Sequence, residues 1–139
     1  TSAALEAADL PALAKRRARH VVGENERVFE AIEALRAGHG EKLGQLMTAS
    51  HRSSMENFEN STQELDLLVE LATQQKGCLG ARLTGGGFGG AIVALVEQDA
   101  VEDVLKNVKS VYDTQTGYSA AGYRCRAGAG ALPPDHDQA

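Results

Sequence analysis

At 139 residues, with 42% hydrophobic composition and no tryptophan, the chain is long enough for one domain built on an aliphatic core. A net charge of -5 argues against non-specific nucleic-acid binding, and the longest purely apolar stretch, Ala91 to Val96, is too short to span a membrane. Two cysteines, Cys78 and Cys125, lie far apart without ligand-spaced neighbours. They predict no disulfide and fit a reducing, cytoplasmic compartment.

Residues 1–11 read as an Ala-rich helical lead, with Pro11 suited to a first helical turn. Leu13, Val21, Val22, Val28, Phe29, Ile32 and Leu35 then recur at helical spacing up to Gly38, a C′ residue, with Gly23 as a point where this helix could break. The basic cluster Lys15-Arg16-Arg17-Ala18-Arg19-His20 has no interleaved aromatics and reads as a solvated helix face rather than a phosphate grip. A second amphipathic helix is predicted over 41–59, with Leu43, Leu46, Met47, Ser50, Ser54 and Phe58 along one face. Ser61 and Glu64 have capping-box spacing for a third helix, which carries Leu65, Leu68, Val69 and Ala72 and ends at Gly77. Glu64 and Asp66, two apart, point to different faces and make no acid–base pair; Asp66 favours the helix start through the dipole.

Two short apolar runs, Leu79 to Leu83 and Ala91 to Val96, read as strands on either side of a glycine run. Asp99 with Glu102 marks a capped start for a last helix striped with Val101, Val104, Leu105, Val108, Val111 and Tyr112. Tyr123 to Ala127 alternates as a half-buried strand does, and the Pro- and Asp-rich residues 133–139 are predicted to be a disordered tail. Residues 1–132 are thus expected to form a single α+β domain: a small antiparallel sheet with helices packed mainly on one face.

The glycine run is the most informative segment. Gly85, Gly86, Gly87, Gly89 and Gly90 fill five of six positions, interrupted by Phe88. So many glycines are entropically costly unless the backbone needs positive φ or must be approached more closely than a Cβ allows. The letters satisfy G-x-G-x-x-G, but they open onto a strand rather than a helix, and no Gly-Lys-Ser/Thr follows. Neither a dinucleotide fold nor a Walker A loop is therefore indicated. Two readings stay open: a tight hairpin turn without a ligand, or a main-chain concavity for an anion. Phe88 reads as an anchor that pins the turn against the domain. Arg82, two residues before the loop, is placed either to approach a phosphate or to pair with a helix carboxylate. The pair Ser50-His51 reads either as a cleft contact or as a helix-face histidine bonded to a neighbouring backbone group. His20, His39 and His136 lack partners at ligand spacing, so no metal site is assigned.

Gly80-Ala81-Arg82-Leu83-Thr84-Gly85-Gly86-Gly87-Phe88-Gly89-Gly90 resembles the third signature motif of the GHMP small-molecule kinases, in the form carried by galactokinases. Arg16 to Asn25, Leu46 to Ser53, Phe58-Glu59 and Glu64-Leu65-Asp66 are similar to galactokinase segments in the same order, so that the resemblance covers about residues 11 to 127. It implies a ferredoxin-like plait with additional helices. It also implies that Gly85 to Gly90 wall a cleft near nucleotide phosphates, with Thr84 as a hydroxyl donor and Ser50, His51 and Arg82 as candidate cleft residues. The phosphate-binding loop, the catalytic residues and the sugar contacts belong to the family's amino-terminal domain, so no catalytic residue is expected in this chain. Starting at Thr1, it reads as a fragment, inactive alone and completed by that missing domain.

The implied reaction transfers the γ-phosphoryl group of ATP, with Mg²⁺, to the anomeric hydroxyl of galactose. ATP and Mg²⁺ would be held mainly by the missing domain. The resemblance leaves three alternatives: a GHMP kinase for a uronic acid, arabinose or N-acetylgalactosamine, a non-catalytic sugar and ATP sensor, or a stand-alone regulatory domain that binds a small effector.

Overall fold

The computed structural model describes residues 1–128. After a short helix α1 (Ser2–Ala7), Pro11 caps the long helix α2 (Ala12–Arg36), which runs through Gly23 without a break. A single glycine costs a helix only about 1 kcal/mol, too little to interrupt one of this length. The helix stops where Gly38 adopts φ 69, as its C′ position requires. The apolar stripe along α2 is helical in period but is not core. Phe29 is 71% exposed, Leu13, Val21, Val28 and Leu35 are also exposed, and Ala34 is the buried residue of the helix. The side of α2 that meets its neighbours carries Glu24 and Arg27 instead.

Helix α3 (Gly40–Ser53) ends in a wide π-helical turn, Ser54–Phe58, so the predicted 41–59 helix is two pieces. Glu59 then turns left-handed at φ 59, held by ion pairs to Arg16 (2.6 Å) and Arg17. Helix α4 (Gln63–Thr73) is capped by Thr62, whose Oγ1 accepts the Leu65 N–H, and not by Ser61. The hydroxyl of Ser61 reaches forward instead and donates to Asp66 Oδ1 at 2.5 Å. Helix α5 (Val101–Thr116) follows a 3-10 turn, Gln98–Ala100, and starts without a side-chain cap, so Asp99 does not have the predicted role.

Strands β1 (Cys78–Thr84) and β2 (Ala91–Val96) form an antiparallel hairpin, with Thr84 opposite Ala91 and an irregularity between Cys78 and Gly80. Ala81, Leu83, Ile92 and Ala94 share one face. Ala81 packs there with Val69 and Ala72 of α4, with Val108 of α5 beside them. The opposite face, carrying Arg82 and Val93, is left partly open. The helices thus pack mainly on one face, as expected.

The outer side of β1 is taken by α3. Thr48 Oγ1 accepts the Ala81 N–H at 3.3 Å and His51 Nδ1 accepts the Leu83 N–H at 3.2 Å, so two strand amides that point away from β2 are satisfied by helix side chains. One turn earlier in α3, Gly44 and Gly80 meet backbone to backbone. A Cβ on Gly44 would lie 2.0 Å from the Leu79 carbonyl oxygen, and one on Gly80 would lie 1.9 Å from that of Gly44.

The predicted strand at Tyr123 to Ala127 is absent; those residues are irregular and exposed. After α5 the chain is tied back to that helix. Lys109 donates to the Ala120 carbonyl at 2.6 Å, Asp113 accepts the Ala120 N–H at 2.8 Å, and Arg124 faces Glu102 at 3.7 Å. Alternation alone makes no strand where the chain is committed to a helix rather than to a sheet partner. The predicted tail at 133–139 lies outside the described residues.

Candidate functional site

Between β1 and β2 the glycine run forms an open loop. Gly85, Gly87, Phe88, Gly89 and Gly90 all have positive φ, between 60° and 122°, a conformation that only glycine adopts cheaply. A Cβ built on Gly85, Gly86, Gly89 or Gly90 would meet nothing within 4 Å. Phe88 donates its N–H to Asn60, whereas the amides of Gly85, Gly86, Gly87, Gly89 and Gly90 find no acceptor among the described residues. Unpaired amides gathered in a turn form an anion-binding concavity. Thr84 stands exposed at the end of β1, beside this surface.

Phe88 does not pin the loop. Its ring is 75% exposed, and its φ of 60 is strained for a residue with a side chain. The contact that holds the loop is with Asn60, in the linker between the π-helical turn and α4. The Asn60 carbonyl accepts the Phe88 N–H at 2.7 Å and Asn60 Nδ2 donates to the Gly86 carbonyl at 3.1 Å.

Ser50 and His51 do not line an open surface, whereas Arg82 keeps part of its side chain exposed. Ser50 and His51 are both buried. Ser50 Oγ donates to Glu24 Oε2 at 2.7 Å, Arg27 Nε donates to Glu24 Oε1 at 2.7 Å, and Arg82 Nη1 lies 3.7 Å from Glu24 Oε2. One carboxylate of α2 therefore ties together α2, α3 and β1. Burial pushes the Glu24 carboxyl upward, but the Ser50 hydroxyl and the Arg27 and Arg82 charges outweigh it and hold the group below its ordinary range. Arg82 thus pairs with a helix carboxylate, while its side chain stays partly exposed. The basic cluster of α2 is engaged in the same way: Arg19 reaches Glu6 at 2.6 Å, Arg16 and Arg17 reach Glu59, and the His20 ring stacks on Phe58 at 4.7 Å.

His51 bonds a backbone group, the Leu83 N–H, one residue before Thr84. Its Nε2 lies 3.3 Å from Asp66 Oδ1 but is not aligned for a hydrogen bond. Burial lowers its pKa, with the Arg82 charge acting the same way and Asp66 opposing. The neutral ring is the form that accepts the Leu83 N–H. Its stabilising contribution is therefore complete above the ordinary histidine value, about 6.5, and is lost as pH falls through it and the unfolded chain takes up protons first. Thermal melts are expected to shift downward between pH 7.5 and 5.5. His51→Asn, which keeps an acceptor but does not titrate, is expected to reduce that shift to the part contributed by His20, whose pKa burial also lowers. His51→Ala strands the Leu83 amide and costs about 1–3 kcal/mol at pH 7.5, and less at pH 5.5, where the parent has itself lost part of that contribution. An unchanged pH slope in His51→Asn would contradict this account.

Glu24, Asn60 and Asp66 were not singled out for these roles by the sequence. Glu24 falls inside the segment that resembles a galactokinase, and that was its one signal; Asn60 has no periodic trace at all. Burial raises the Cys78 thiol, which leaves it unsuited to act as a nucleophile. Among the described residues there is no group of three or more His, Cys, Asp or Glu that could hold a metal ion, and no helix is long and apolar enough to cross a membrane.

Residues 31–114 match the family described as GHMP kinases C terminal. The chain is 50% identical over 117 residues to a galactokinase of Exiguobacterium sibiricum, covering 84% of this chain and 30% of that protein. It is 49% identical over 127 residues to a galactokinase of Mannheimia succiniciproducens, covering 88% and 33%. Among solved structures it resembles Lactococcus lactis galactokinase complexed with galactose, with a TM-score of 0.83 and 41% identity over 87% of this chain and 32% of that one. It also resembles L. major mevalonate kinase in complex with R-mevalonate, with a TM-score of 0.60 and 33% identity over 66% and 28%. The chain spans about a third of the length of these relatives. With its hairpin, its open glycine loop and its helices on one face, the chain belongs to the GHMP kinase C-terminal domain family.

Proposed function

We propose that this chain is the carboxyl-terminal domain of a cytoplasmic galactokinase, which transfers the γ-phosphoryl group of ATP to the anomeric hydroxyl of galactose. The observation that carries the proposal is the loop Gly85–Gly90, whose acceptor-free amides and open surroundings leave room for the phosphates of a nucleotide. Identity of about half the residues to galactokinases supports galactose as the sugar. Likeness to a mevalonate kinase indicates that this domain's fold serves more than one substrate. Sugar choice is therefore assigned to the remainder of the protein, and so are catalysis and the Mg²⁺ ion.

In this reading Thr84, Gly85, Gly86, Gly87, Phe88, Gly89 and Gly90 wall the phosphate cleft. Phosphoryl transfer depends mainly on positioning and on charge stabilisation, and fixed main-chain dipoles supply both without a reactive side chain. Ser50, Glu24 and Arg82 brace β1, and His51 holds it one residue before the loop. The test is a coupled ATP assay of the full-length protein against galactose, arabinose, glucuronate, galacturonate and N-acetylgalactosamine, with the 139-residue chain assayed alongside. Turnover with galactose by the full-length protein and none by the chain alone is the expected result. Preference for another of these sugars would move the assignment within the family, and binding of ATP and sugar without turnover would favour a sensor.

A further inference from the structure

Asn60 lies in the short linker between the π-helical turn and α4 and is 7% exposed. Its backbone carbonyl accepts the Phe88 N–H at 2.7 Å, and its side-chain Nδ2 donates to the Gly86 carbonyl at 3.1 Å. Its Oδ1 is buried without a partner. Gly87 is pressed so closely against the linker that a Cβ there would lie 2.1 Å from the Asn60 carbonyl oxygen. Among the described residues no other hydrogen bond ties residues 85–90 to the rest of the domain.

We propose that Asn60 is a positioning residue for the nucleotide: a two-point clamp that fixes Gly86 and Phe88 and so presents the free amides of the glycine loop in one arrangement. The inference rests on the phosphate-facing role of the loop given above. Five glycines lose about 1–2 kcal/mol of backbone freedom each when they are ordered. A loop ordered during folding does not lose that freedom again when a phosphate arrives, so holding it in advance favours nucleotide affinity. The clamp takes one amide of the loop, that of Phe88, and one carbonyl, that of Gly86, and leaves the five glycine amides unoccupied, as an anion site requires. A side chain that only filled space here would need no donor, and a residue with no donor would leave the Gly86 carbonyl unheld.

The test uses the full-length protein. Asn60→Ala keeps the backbone contact but removes the donor to Gly86. It is expected to raise KM for ATP about fivefold, the equivalent of one hydrogen bond, with KM for galactose unchanged. It should also speed amide hydrogen exchange in a peptide spanning residues 84–91 without nucleotide. Asn60→Asp places a carboxylate against the Gly86 carbonyl at a buried position, which raises its pKa above the ordinary aspartate value of about 3.9. It is therefore expected to do more damage at pH 8 and to recover as pH falls towards 5.5 and the protonated acid again donates. Taking the ratio to the parent protein at each pH removes the titration of the neighbouring Glu59, Asp66 and His51 together with that of the substrates. A circular-dichroism melt identifies a variant that has lost its fold, and the pH recovery of Asn60→Asp then decides, because a misfolded protein would not regain ATP affinity on acidification. Unchanged exchange in Asn60→Ala, or no pH recovery in Asn60→Asp, overturns the clamp. Faster exchange with an unchanged KM for ATP would leave Asn60 holding the loop, but would overturn both its role towards the nucleotide and the phosphate-facing assignment itself.

Discussion

Gly44→Ala is expected to destabilise this domain severely, although the same change in an exposed helix interior stabilises by about 1 kcal/mol. The added carbon would stand 2.0 Å from the Leu79 carbonyl oxygen, a backbone atom that cannot swing aside. Helix α3 would have to move off β1, which would break the bonds from Ala81 to Thr48 and from Leu83 to His51. Overpacking costs about 1–3 kcal/mol, and each of the two stranded amides adds a further 1–3 kcal/mol, so a loss of about 3–9 kcal/mol is expected. Gly80→Ala disturbs the same contact from the other side, through a carbon 1.9 Å from the Gly44 carbonyl oxygen. The double variant should therefore lose much less than the sum of the two, since α3 is displaced only once. Urea denaturation of the four proteins measures this. A Gly44→Ala variant as stable as the parent would refute the close approach.

The second large effect separates two neighbouring glycines. Gly86 lies outside the left-handed region and faces open space, so Gly86→Ala should leave stability within about 0.5 kcal/mol of the parent. If phosphates come against this loop, the same methyl group should raise KM for ATP about tenfold or more in the full-length protein. At Gly87 the backbone is held at φ 81 and a Cβ would lie 2.1 Å from the Asn60 carbonyl oxygen. Gly87→Ala should therefore cost about 2–4 kcal/mol of stability from strain and overlap before any nucleotide is added. Within one glycine run the two positions look alike, yet the structure leaves room for a side chain at Gly86 and none at Gly87. Thermal melts and ATP kinetics of the two variants, side by side, distinguish the roles.

What the sequence made legible was periodic or local. The hairpin was readable because two apolar runs bracket five glycines, and its strands lie within a residue of where those runs place them. Helix α4 was readable from its stripe, but its cap moved from Ser61 to Thr62 and its end from Gly77 back to Thr73. What stayed hidden were contacts between elements far apart in the chain. The meeting of Gly44 with Gly80, the bonds of Glu24 to Ser50 and Arg27, and the hold of Asn60 on Gly86 leave no repeat in the sequence. Direction was hidden as well as distance. Phe88 and the stripe of α2 read as packed residues because apolar side chains usually are, yet Phe88 and most of that stripe stay exposed. The sequence assigned the anchor of the glycine loop to Phe88, whereas the loop is held by Asn60.

With α3 occupying one flank of β1, the hairpin can lengthen its sheet in a single direction. A newcomer strand, whether from elsewhere in the same polypeptide or from a second molecule, must dock alongside β2, because the Ala81 and Leu83 amides on the outer edge of β1 are already taken by Thr48 and His51. Assembly and unwanted self-association therefore compete for one and the same short stretch, Ala91–Val96.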